Sequence, residues 1–326
     1  MKFANLVDTI IEAPVVTSFT SIGYHVRSRL DHWRPLDSYN LIGRTIVVTG
    51  ATSGLGRHAA QRFAAAGATV VISGRDRAKA DRVKAEISEE TGSKTIDVAI
   101  ADMGELDQVR NLAEALRAKH ERIDVLVHNA GALSAERGTT SDGFEATVAS
   151  QVLGPFLLTS LLVDRLAAAA PGRVIAISSG GMYATGLTID HLQMEQHEYR
   201  GTEQYARAKR AQVTLNELWA QRVPSEEVVF QAMHPGWADT PGVKTSLPTF
   251  HKITGRLLRS VEQGADTMVW LAADDGLPRS TSGCFWLDRR QRPIHKLPRT
   301  RRTDTVERRA ELWGWCLAQT DASAAT

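Results

Sequence analysis

The sequence predicts a single α/β domain on a doubly wound parallel sheet of about seven strands. Two observations predict this class: short β-branched runs alternate with helical stretches from residue 45 onward, and a glycine-rich turn joins the first run to the first helix. Right-handed crossovers would return each strand to the same sheet. The predicted strands are 45–49, 69–73, 94–100, 124–128, 174–178, 228–233 and 283–287. The predicted helices between them are 55–66, 78–90, 106–120, 143–169, 203–222 and 261–273.

This pattern divides the chain into three segments. Residues 1–43 precede the first strand, 44–290 carry the alternation, and 291–326 hold a basic loop, a helix at 305–317 and a tail that we expect to be disordered. Apolar residues such as Ile10 and Val15, followed by Arg27 and Arg29, predict one or two amphipathic helices in the first segment. We expect these helices to pack on their own domain or on a neighbouring subunit. The alternative is a helix lying on a membrane surface.

The charge distribution is uneven although the formal net charge is only +2, which is too small to indicate a nucleic-acid partner. A basic run at 289–302 contains no acid. We interpret this run as a solvated loop, and the alternative is a contact for an anionic lipid surface or a phosphate. Its cations are Arg289, Arg290, Arg292, Lys296, Arg299, Arg301 and Arg302.

Cysteine usage and hydropathy bear on the compartment. Cys284 and Cys316 lie outside any metal-binding spacing, so we predict neither a disulfide framework nor a metal site. No apolar run approaches the ~18–20 residues that cross a bilayer, and the first residues do not resemble a secretory signal. We therefore expect a cytoplasmic protein, with peripheral membrane contact as the alternative.

A glycine-rich turn follows the first predicted strand, in the segment TGATSGLG at 49–56. Gly50, Gly54 and Gly56 permit a tight turn and close approach of the backbone to a pyrophosphate, and the following helix offers free N–H groups. Because the turn lies between a strand and an amphipathic helix, it predicts a dinucleotide site of the Rossmann type.

The end of the second strand indicates which dinucleotide binds. An acid there would bind the ribose 2′-hydroxyl of NAD, whereas an arginine suits the 2′-phosphate of NADP. Gly74 stands at that position, and Arg75 follows it. We therefore favour NADP(H) over NAD(H). Asp76 is either a helix N-cap, which we prefer, or a ribose ligand that would favour NAD.

Three side chains form a candidate catalytic group. Tyr205 and Lys209 share one helix face at positions i and i+4. An ammonium beside a tyrosine would lower the phenol pKa from its ordinary value near ~10, which makes a usable general acid and base. Ser179 follows the fifth predicted strand, where its hydroxyl could polarise a substrate carbonyl.

In these motifs the sequence resembles the short-chain dehydrogenase/reductase family. The resemblance runs from about Gly43 to Leu287 and includes Asp102 and the segments HNAG, ISS, YARAK and HPGWADTP. The 26-residue gap between Ser179 and Tyr205 resembles the branch of the retinol dehydrogenases and dehydrogenase/reductase member 12.

The resemblance implies roles for individual residues. Tyr205 would be the acid and base, Ser179 would orient the carbonyl oxygen, and Lys209 would lower the tyrosine pKa and hold the nicotinamide ribose. The cofactor-binding residues implied by the motifs are Gly50, Thr52, Ser53, Gly54, Leu55, Gly56, Arg75, Asp102, Met103, Asn129, Ala130, Gly131, Tyr205, Lys209, Pro235, Gly236 and Thr240.

One position departs from the family pattern. Gln151 stands where the family usually carries the asparagine of the proton relay, so we place Gln151 in the catalytic set as its substitute. The amide is kept, but the added methylene could shift the relay. This departure leaves open a second function, an NADP(H)-binding sensor or scaffold with impaired catalysis.

Apolar residues predict the chemistry of the substrate. Several occur in 237–259 and after Ser179, which predicts a lipophilic carbonyl or alcohol, unless these side chains simply pack a lid. They are Trp237, Val243, Leu247, Phe250, Ile253, Leu257, Met182, Tyr183 and Leu187. Because family members often form oligomers through two long helices, we also expect a homo-oligomer through 143–169 and 203–222.

Overall fold

Eight strands form one sheet in the computed structural model, which describes residues 2–240, 242, 246 and 248–322. Their order is β3-β2-β1-β4-β5-β6-β7-β8, and β1 to β7 are parallel. The seven predicted strands are confirmed, and a two-residue strand, β8, adds an antiparallel edge. The strands are β1 (Thr45–Thr49), β2 (Thr69–Gly74), β3 (Ile96–Ile100), β4 (Val125–His128), β5 (Gly172–Ile177), β6 (Val228–Met233), β7 (Cys284–Leu287) and β8 (Arg290–Gln291).

Helices cover both faces of this sheet. The described helices are α1 (Lys2–Glu12), α2 (Val15–Phe19), α3 (Ser21–Leu30), α4 (Gly54–Ala65), α5 (Arg77–Thr91), α6 (Leu106–Lys119), α7 (Ala146–Val148), α8 (Gly154–Ala167), α9 (Gly201–Ala220), α10 (Pro248–Thr254), α11 (Val261–Ala273), α12 (Leu277–Ser280), α13 (Pro298–Arg302) and α14 (Val306–Thr320). One hydrophobic core lies between the sheet and α6, α8 and α9, and a second lies between the sheet and α4, α5 and α11. The result is the predicted doubly wound arrangement of three layers.

The strand order reverses beside β1, which pairs with β2 on one side and with β4 on the other. In doubly wound sheets, ligands bind beyond the carboxyl ends of the strands at such a switch point. The loops after β1, β4, β5 and β6 all leave the sheet at this edge.

One helical stretch, Ala146–Ala167, is long and apolar enough to cross a membrane by length and composition. It comprises α7, a π-helical turn (Ala149–Leu153) and α8. Its most apolar part is 72% buried inside the protein. Our prediction that no apolar run approaches this length is therefore wrong, because a core helix with neighbours on most sides is apolar around most of its surface.

The C-terminal helix α14 covers part of α8 and α9. The Trp313 ring lies 5.0 Å from the Phe156 ring and 4.8 Å from the Trp219 ring, measured between centroids. The homo-oligomer through these two helices stays a prediction, and any such pairing has to accommodate α14.

The basic run at 289–302 packs against the first three helices, which we call the N-terminal arm (α1 to α3). Arg292 binds both oxygens of Asp8, and Arg290 binds both oxygens of Asp31, at 2.5 to 2.8 Å. Arg289 binds Asp266 on α11. Our interpretation of this run as a solvated loop is wrong at these positions, because acids of other segments neutralise its cations; the partners of Arg290 and Arg292 lie more than 200 residues away.

Candidate active site

The glycine turn after β1 is held by Asn129, which follows β4. Its side-chain amide donates to the carbonyls of Thr49 and Gly50 at 3.0 and 3.1 Å. Gly50 has φ +65°, a conformation that favours glycine. A Cβ on Gly56 would lie 2.4 Å from the Asn129 amide nitrogen. We predicted that Asn129 lines the cofactor channel; the structure shows that its side chain holds the turn through two hydrogen bonds.

The Thr49 hydroxyl joins the same two strand ends. It accepts from the backbone N–H groups of Asn129 and Ala130, both at 3.1 Å, and lies 3.2 Å from the Val127 carbonyl oxygen. The turn and the Asn129–Gly131 segment are therefore one rigid unit. Ser53 is the N-cap residue of α4, so the first N–H groups of this helix point toward the turn.

We call the region along the carboxyl edge of the sheet, from the end of β2 to the loop after β6, the cleft. An exposed arginine lies at its β2 end. Gly74 lies against Thr52 of the turn, and the side chain of Arg75 is 81% exposed and 3.7 Å from an Asp102 oxygen. Asp76 accepts a hydrogen bond from the N–H of Lys79 at 3.0 Å, which confirms it as the N-cap of α5. Because Asp76 is engaged as a helix cap, Arg75 is the charged side chain at the end of β2 that is available to a ligand.

Asp102 and Met103 follow β3 and border the same end. One Asp102 oxygen accepts from the N–H of Gly104 at 2.9 Å, which shapes the turn. Met103 is buried in the core, and its carbonyl lies beside Gly154. The side chain of Asp102 is therefore partly exposed at the cleft, whereas the side chain of Met103 packs in the core.

Tyr205 and Ser179 meet at the carboxyl edge of β5, where burial raises the pKa of the Tyr205 phenol and the Ser179 side chain acts to lower it. The Ser179 hydroxyl also accepts from the N–H of Gly181 at 3.2 Å, which leaves its proton free for another acceptor. Tyr205 lies in the second turn of α9 and is partly exposed. The two hydroxyls are therefore close enough to contact one carbonyl oxygen together.

Lys209 lies one turn further along α9, as the spacing predicts. Its ammonium is 5.4 Å from the centroid of the Tyr205 ring and donates to the Ile177 carbonyl at 2.7 Å and to the Gln212 side chain at 3.2 Å. Burial lowers the pKa of Lys209 to about 7. The lysine can therefore exchange a proton near neutral pH.

The pKa of Tyr205 does not follow our prediction. Burial raises it to about 12, and the neighbouring Ser179 side chain acts in the lowering direction. The predicted lowering by Lys209 is not found, because that ammonium is directed at Ile177 and Gln212 and has itself a reduced tendency to be charged. Tyr205 is thus a protonated phenol across the physiological range.

Gln151 lies in the π-helical turn, fully buried, and its amide nitrogen donates to the Ala132 carbonyl at 2.8 Å. Its carbon and oxygen atoms press against Gly131. Gln151, His128 and Gln212 line a cavity of about 30 Å³. Each of the three has one buried polar atom with no hydrogen-bond partner among the residues that the structure describes. A cavity of this size, with unpaired polar atoms on three of the residues that line it, has room for an ordered water.

The loop after β6 forms the other wall of the cleft. Pro235 and Gly236 follow His234, and the Pro235 carbonyl, like Leu55 of the glycine turn, lies beside Gly264 of α11. Burial lowers the pKa of His234 to about 3, so its ring is neutral. Thr240 ends this part of the loop and is partly buried. Pro235 and Leu55 are thereby held to the same helix.

The sequence profile of the short chain dehydrogenase family matches residues 44–249. The chain belongs to the short-chain dehydrogenase/reductase family. It is 42% identical over 253 residues to "Dehydrogenase/reductase SDR family member 12" of Bos taurus, which covers 78% of this chain and 79% of that protein. It is 32% identical over 275 residues to "Retinol dehydrogenase 12" of Homo sapiens, covering 84% and 85% of the two chains.

A solved structure described as a short chain dehydrogenase from Escherichia coli CFT073 complexed with NADPH is also similar. It is 25% identical, has a TM-score of 0.63, and covers 79% of this chain and 100% of its own. The fold and the family therefore agree with an oxidoreductase.

Several apolar residues that we predicted to contact substrate lie in the core of this dehydrogenase. Met182, Tyr183 and Leu187 are buried, and the Tyr183 hydroxyl donates to the Pro293 carbonyl at 2.9 Å. For these three the packing alternative holds. Leu257 is 39% exposed and Trp237 is partly exposed. Val243 and Leu247 lie outside the described residues, and the side chains of Phe250 and Ile253 are not described.

Three residues near the site were not predicted from the sequence. Gln212 accepts from Lys209, and its i+3 spacing on α9 is the signal that could have found it. Phe19 and Arg259 reach the loop after β6 from distant segments. Within the described part of the chain, no group of three or more His, Cys, Asp or Glu side chains is placed to hold a metal ion.

Proposed function

We propose that the protein is an NADP(H)-dependent oxidoreductase that interconverts a carbonyl and an alcohol on a lipophilic substrate. Tyr205 is its acid and base, Ser179 orients the carbonyl oxygen, and Lys209 supports the tyrosine. The observation that carries the proposal is the placement of Tyr205 beside Ser179, with the Lys209 ammonium 5.4 Å from the centre of the tyrosine ring, at the carboxyl edge of a sheet whose first turn is rich in glycine.

The residues of the cleft fit NADP(H). The glycine turn leaves backbone N–H groups at the start of α4 for the pyrophosphate. Arg75 carries an exposed positive charge at the end of β2, and Asp76 is engaged as a cap. A guanidinium binds a 2′-phosphate with two hydrogen bonds. The similarity to a family structure in complex with NADPH supports the same choice.

In the reductive direction, each residue has one task. When bound, the nicotinamide supplies the hydride to the carbonyl carbon. Tyr205 donates its phenolic proton to the carbonyl oxygen, and Ser179 donates a hydrogen bond to the same oxygen. Lys209, whose pKa burial lowers to about 7, can return a proton to the phenolate near neutral pH. Lys209 contacts Gln212, and Gln212 lines the same small cavity as Gln151, so a water in that cavity could relay the proton to Lys209.

The substrate proposal depends on the outer wall of the cleft. Trp237 and Leu257 are the described apolar residues that remain accessible there. The similarity to a retinol dehydrogenase supports a lipophilic alcohol or aldehyde. Retinoid-like, steroid-like and fatty carbonyls share this chemistry.

The test is NADPH oxidation with a panel of lipophilic aldehydes and ketones, measured for the wild type and for Tyr205→Phe. We expect Tyr205→Phe to lower kcat about 10²- to 10⁴-fold, because the variant lacks the proton donor. Its NADPH affinity should stay within a factor of about two, since the ring and its packing are kept. Equal turnover by the two proteins would overturn the role of Tyr205.

Gln151 favours a second function, an NADP(H)-binding sensor or scaffold with impaired catalysis. Its amide nitrogen is used on the Ala132 carbonyl, so the relay position differs from the family pattern. A wild type that binds NADPH tightly and reduces no carbonyl of the panel, while Gln151→Asn gains turnover, would favour this function.

A further inference from the structure

The N-terminal arm reaches the catalytic edge of the sheet through Phe19, the last residue of α2. The Phe19 ring is 3% exposed and lies edge-on to His234, with 4.3 Å between ring centroids, and to Trp237, with 5.9 Å. A Cβ on Gly180 would lie 2.6 Å from the Phe19 ring and 2.9 Å from the His234 Nε2. Phe19 therefore presses against the residue that follows Ser179.

The backbone of the arm is bonded to the same loop. The N–H of Trp237 donates to the Phe19 carbonyl at 2.7 Å. The side chain of Arg259 is 1% exposed, and the backbone of Arg259 forms an isolated β-bridge with Ala238. Its guanidinium donates to the carbonyls of Ser18, Phe19, Thr20 and Pro235 and to the Asp288 carboxylate, at 2.5 to 3.4 Å.

A second buried arginine fixes the arm from the other side. Arg27 of α3 is fully buried and binds Asp8, Glu12 and Asp288 at 2.6 to 2.8 Å. Burial opposes the charge of Asp288, yet Arg259 and Arg27 together hold the pKa of this carboxyl below its ordinary value. Asp288 thus joins the arm and the Pro235 loop through two guanidinium groups, so a shift of either side would break buried ion pairs.

These contacts converge on the geometry of Ser179. Gly180 is confined between the Phe19 ring and His234, and the N–H of Gly181 binds the Ser179 hydroxyl. A shift of the Phe19 ring would free Gly180, and with it the direction of the hydroxyl that faces Tyr205. Misplacement of a reacting group by about 1 Å can cost about a hundredfold in rate.

We propose that Phe19 is a positioning residue for Ser179 and for the loop 234–237, so that the N-terminal arm is a structural part of the active site. The inference rests on the proposed carbonyl and alcohol chemistry at Tyr205. It assigns the arm to the substrate end of the cleft, whereas the nucleotide turn at 49–56 is built without it.

The test uses the full chain with Phe19→Ala, Phe19→Leu and the control Phe63→Leu. Phe63 is a fully buried aromatic residue of α4 in the core on one face of the sheet. We expect Phe19→Ala to lower kcat for carbonyl reduction about ten- to a hundredfold, and Phe19→Leu to recover part of that loss. NADPH affinity should fall less than kcat in the two Phe19 variants, because Phe19 contacts the loop 234–237 and not the turn at 49–56, and it should stay within a factor of about two in Phe63→Leu. Phe63→Leu should lower the melting temperature and leave kcat unchanged.

Hydrogen exchange supplies a readout that does not need turnover. Phe19→Ala should speed amide exchange at 179–181 and 234–237 and leave 50–56 unchanged. Unchanged exchange at the first two segments, or a kcat within twofold of the wild type, would overturn the inference. A loss of kcat in Phe63→Leu as large as in Phe19→Ala would do the same, because it would indicate general loosening. A wild type without turnover in which the exchange pattern still appears would count against the proposed function and not against the positioning role.

Discussion

The two ends of the cleft are built in different ways. At the nucleotide end, Asn129 holds the turn at Thr49 and Gly50 through backbone carbonyls, within the first four strands. At the substrate end, Arg259 and Asp288 tie the loop after β6 to a helical arm more than 200 residues away in sequence. The first end rests on neutral backbone contacts, and the second rests on buried charges.

The comparison teaches which parts of a dehydrogenase tolerate change. A glycine turn carries its own conformation, so it depends on a few adjacent residues. A buried ion network depends on every member, because removal of one charge leaves another buried without a partner. We therefore expect the substrate end to be the more fragile of the two.

The largest effect is expected for Asp288→Asn. The change leaves Arg27 and Arg259 buried with one counter-charge fewer, which should lower the free energy of unfolding by about 3–5 kcal/mol. Denaturant unfolding measures this loss. The matched control is Asp81→Asn, whose partner Arg77 is 3.7 Å away on an exposed helix face, and whose cost should stay below about 1 kcal/mol.

The pH dependence of unfolding provides a further check of the buried ion network. Because the pKa of Asp288 is held below its ordinary value of 3.8, its contribution is present above that pH and is lost as the pH falls through the lowered value. The difference between the wild type and Asp288→Asn should therefore shrink at low pH. A constant difference, or equal unfolding of the Asp288 and Asp81 variants at neutral pH, would contradict the network.

A smaller effect is expected in the pH profile of the chemistry. Burial lowers the pKa of Lys209 to about 7, and burial raises the pKa of Tyr205 to about 12. For carbonyl reduction, kcat should be flat below pH 7 and fall about tenfold per unit above it, as Lys209 loses the proton that it returns to the Tyr205 phenolate. Tyr205 stays protonated throughout this range. A profile that is flat between about pH 6 and 9 would remove Lys209 from the proton path. The control variant Arg75→Ala should show the same decrease in activity above pH 7, since Arg75 lies at the β2 end of the cleft, away from Lys209.

The contrast between local contacts and long-range ion pairs also explains which features the sequence could predict. The seven parallel strands, the glycine-rich turn after β1, the cap at Asp76 and the meeting of Ser179 with Tyr205 follow from local patterns, and the structure has all of them. The ion pairs of Arg289, Arg290 and Arg292 did not follow, because nothing local indicates which distant acids they bind.

Three further features could not be predicted from the local sequence. The two-residue strand β8 is too short to leave a pattern. The apolar residues after Ser179 serve the core because the arm and the segment after β8 cover them, which no spacing reveals. The tyrosine pKa depends on where the lysine ammonium points, and the i and i+4 spacing alone does not determine that direction.

The most direct test of the account is a titration of the wild type and of Arg75→Ala with NADPH and with NADH, followed by nucleotide fluorescence. The account predicts that the wild type prefers NADPH and that Arg75→Ala weakens NADPH binding about tenfold, because the 2′-phosphate loses its guanidinium. NADH binding should change little, and kcat at saturating NADPH should be kept. Equal affinity of the wild type for both nucleotides, with no effect of Arg75→Ala, would contradict the NADP(H) assignment, and failure to bind either nucleotide would contradict the oxidoreductase itself.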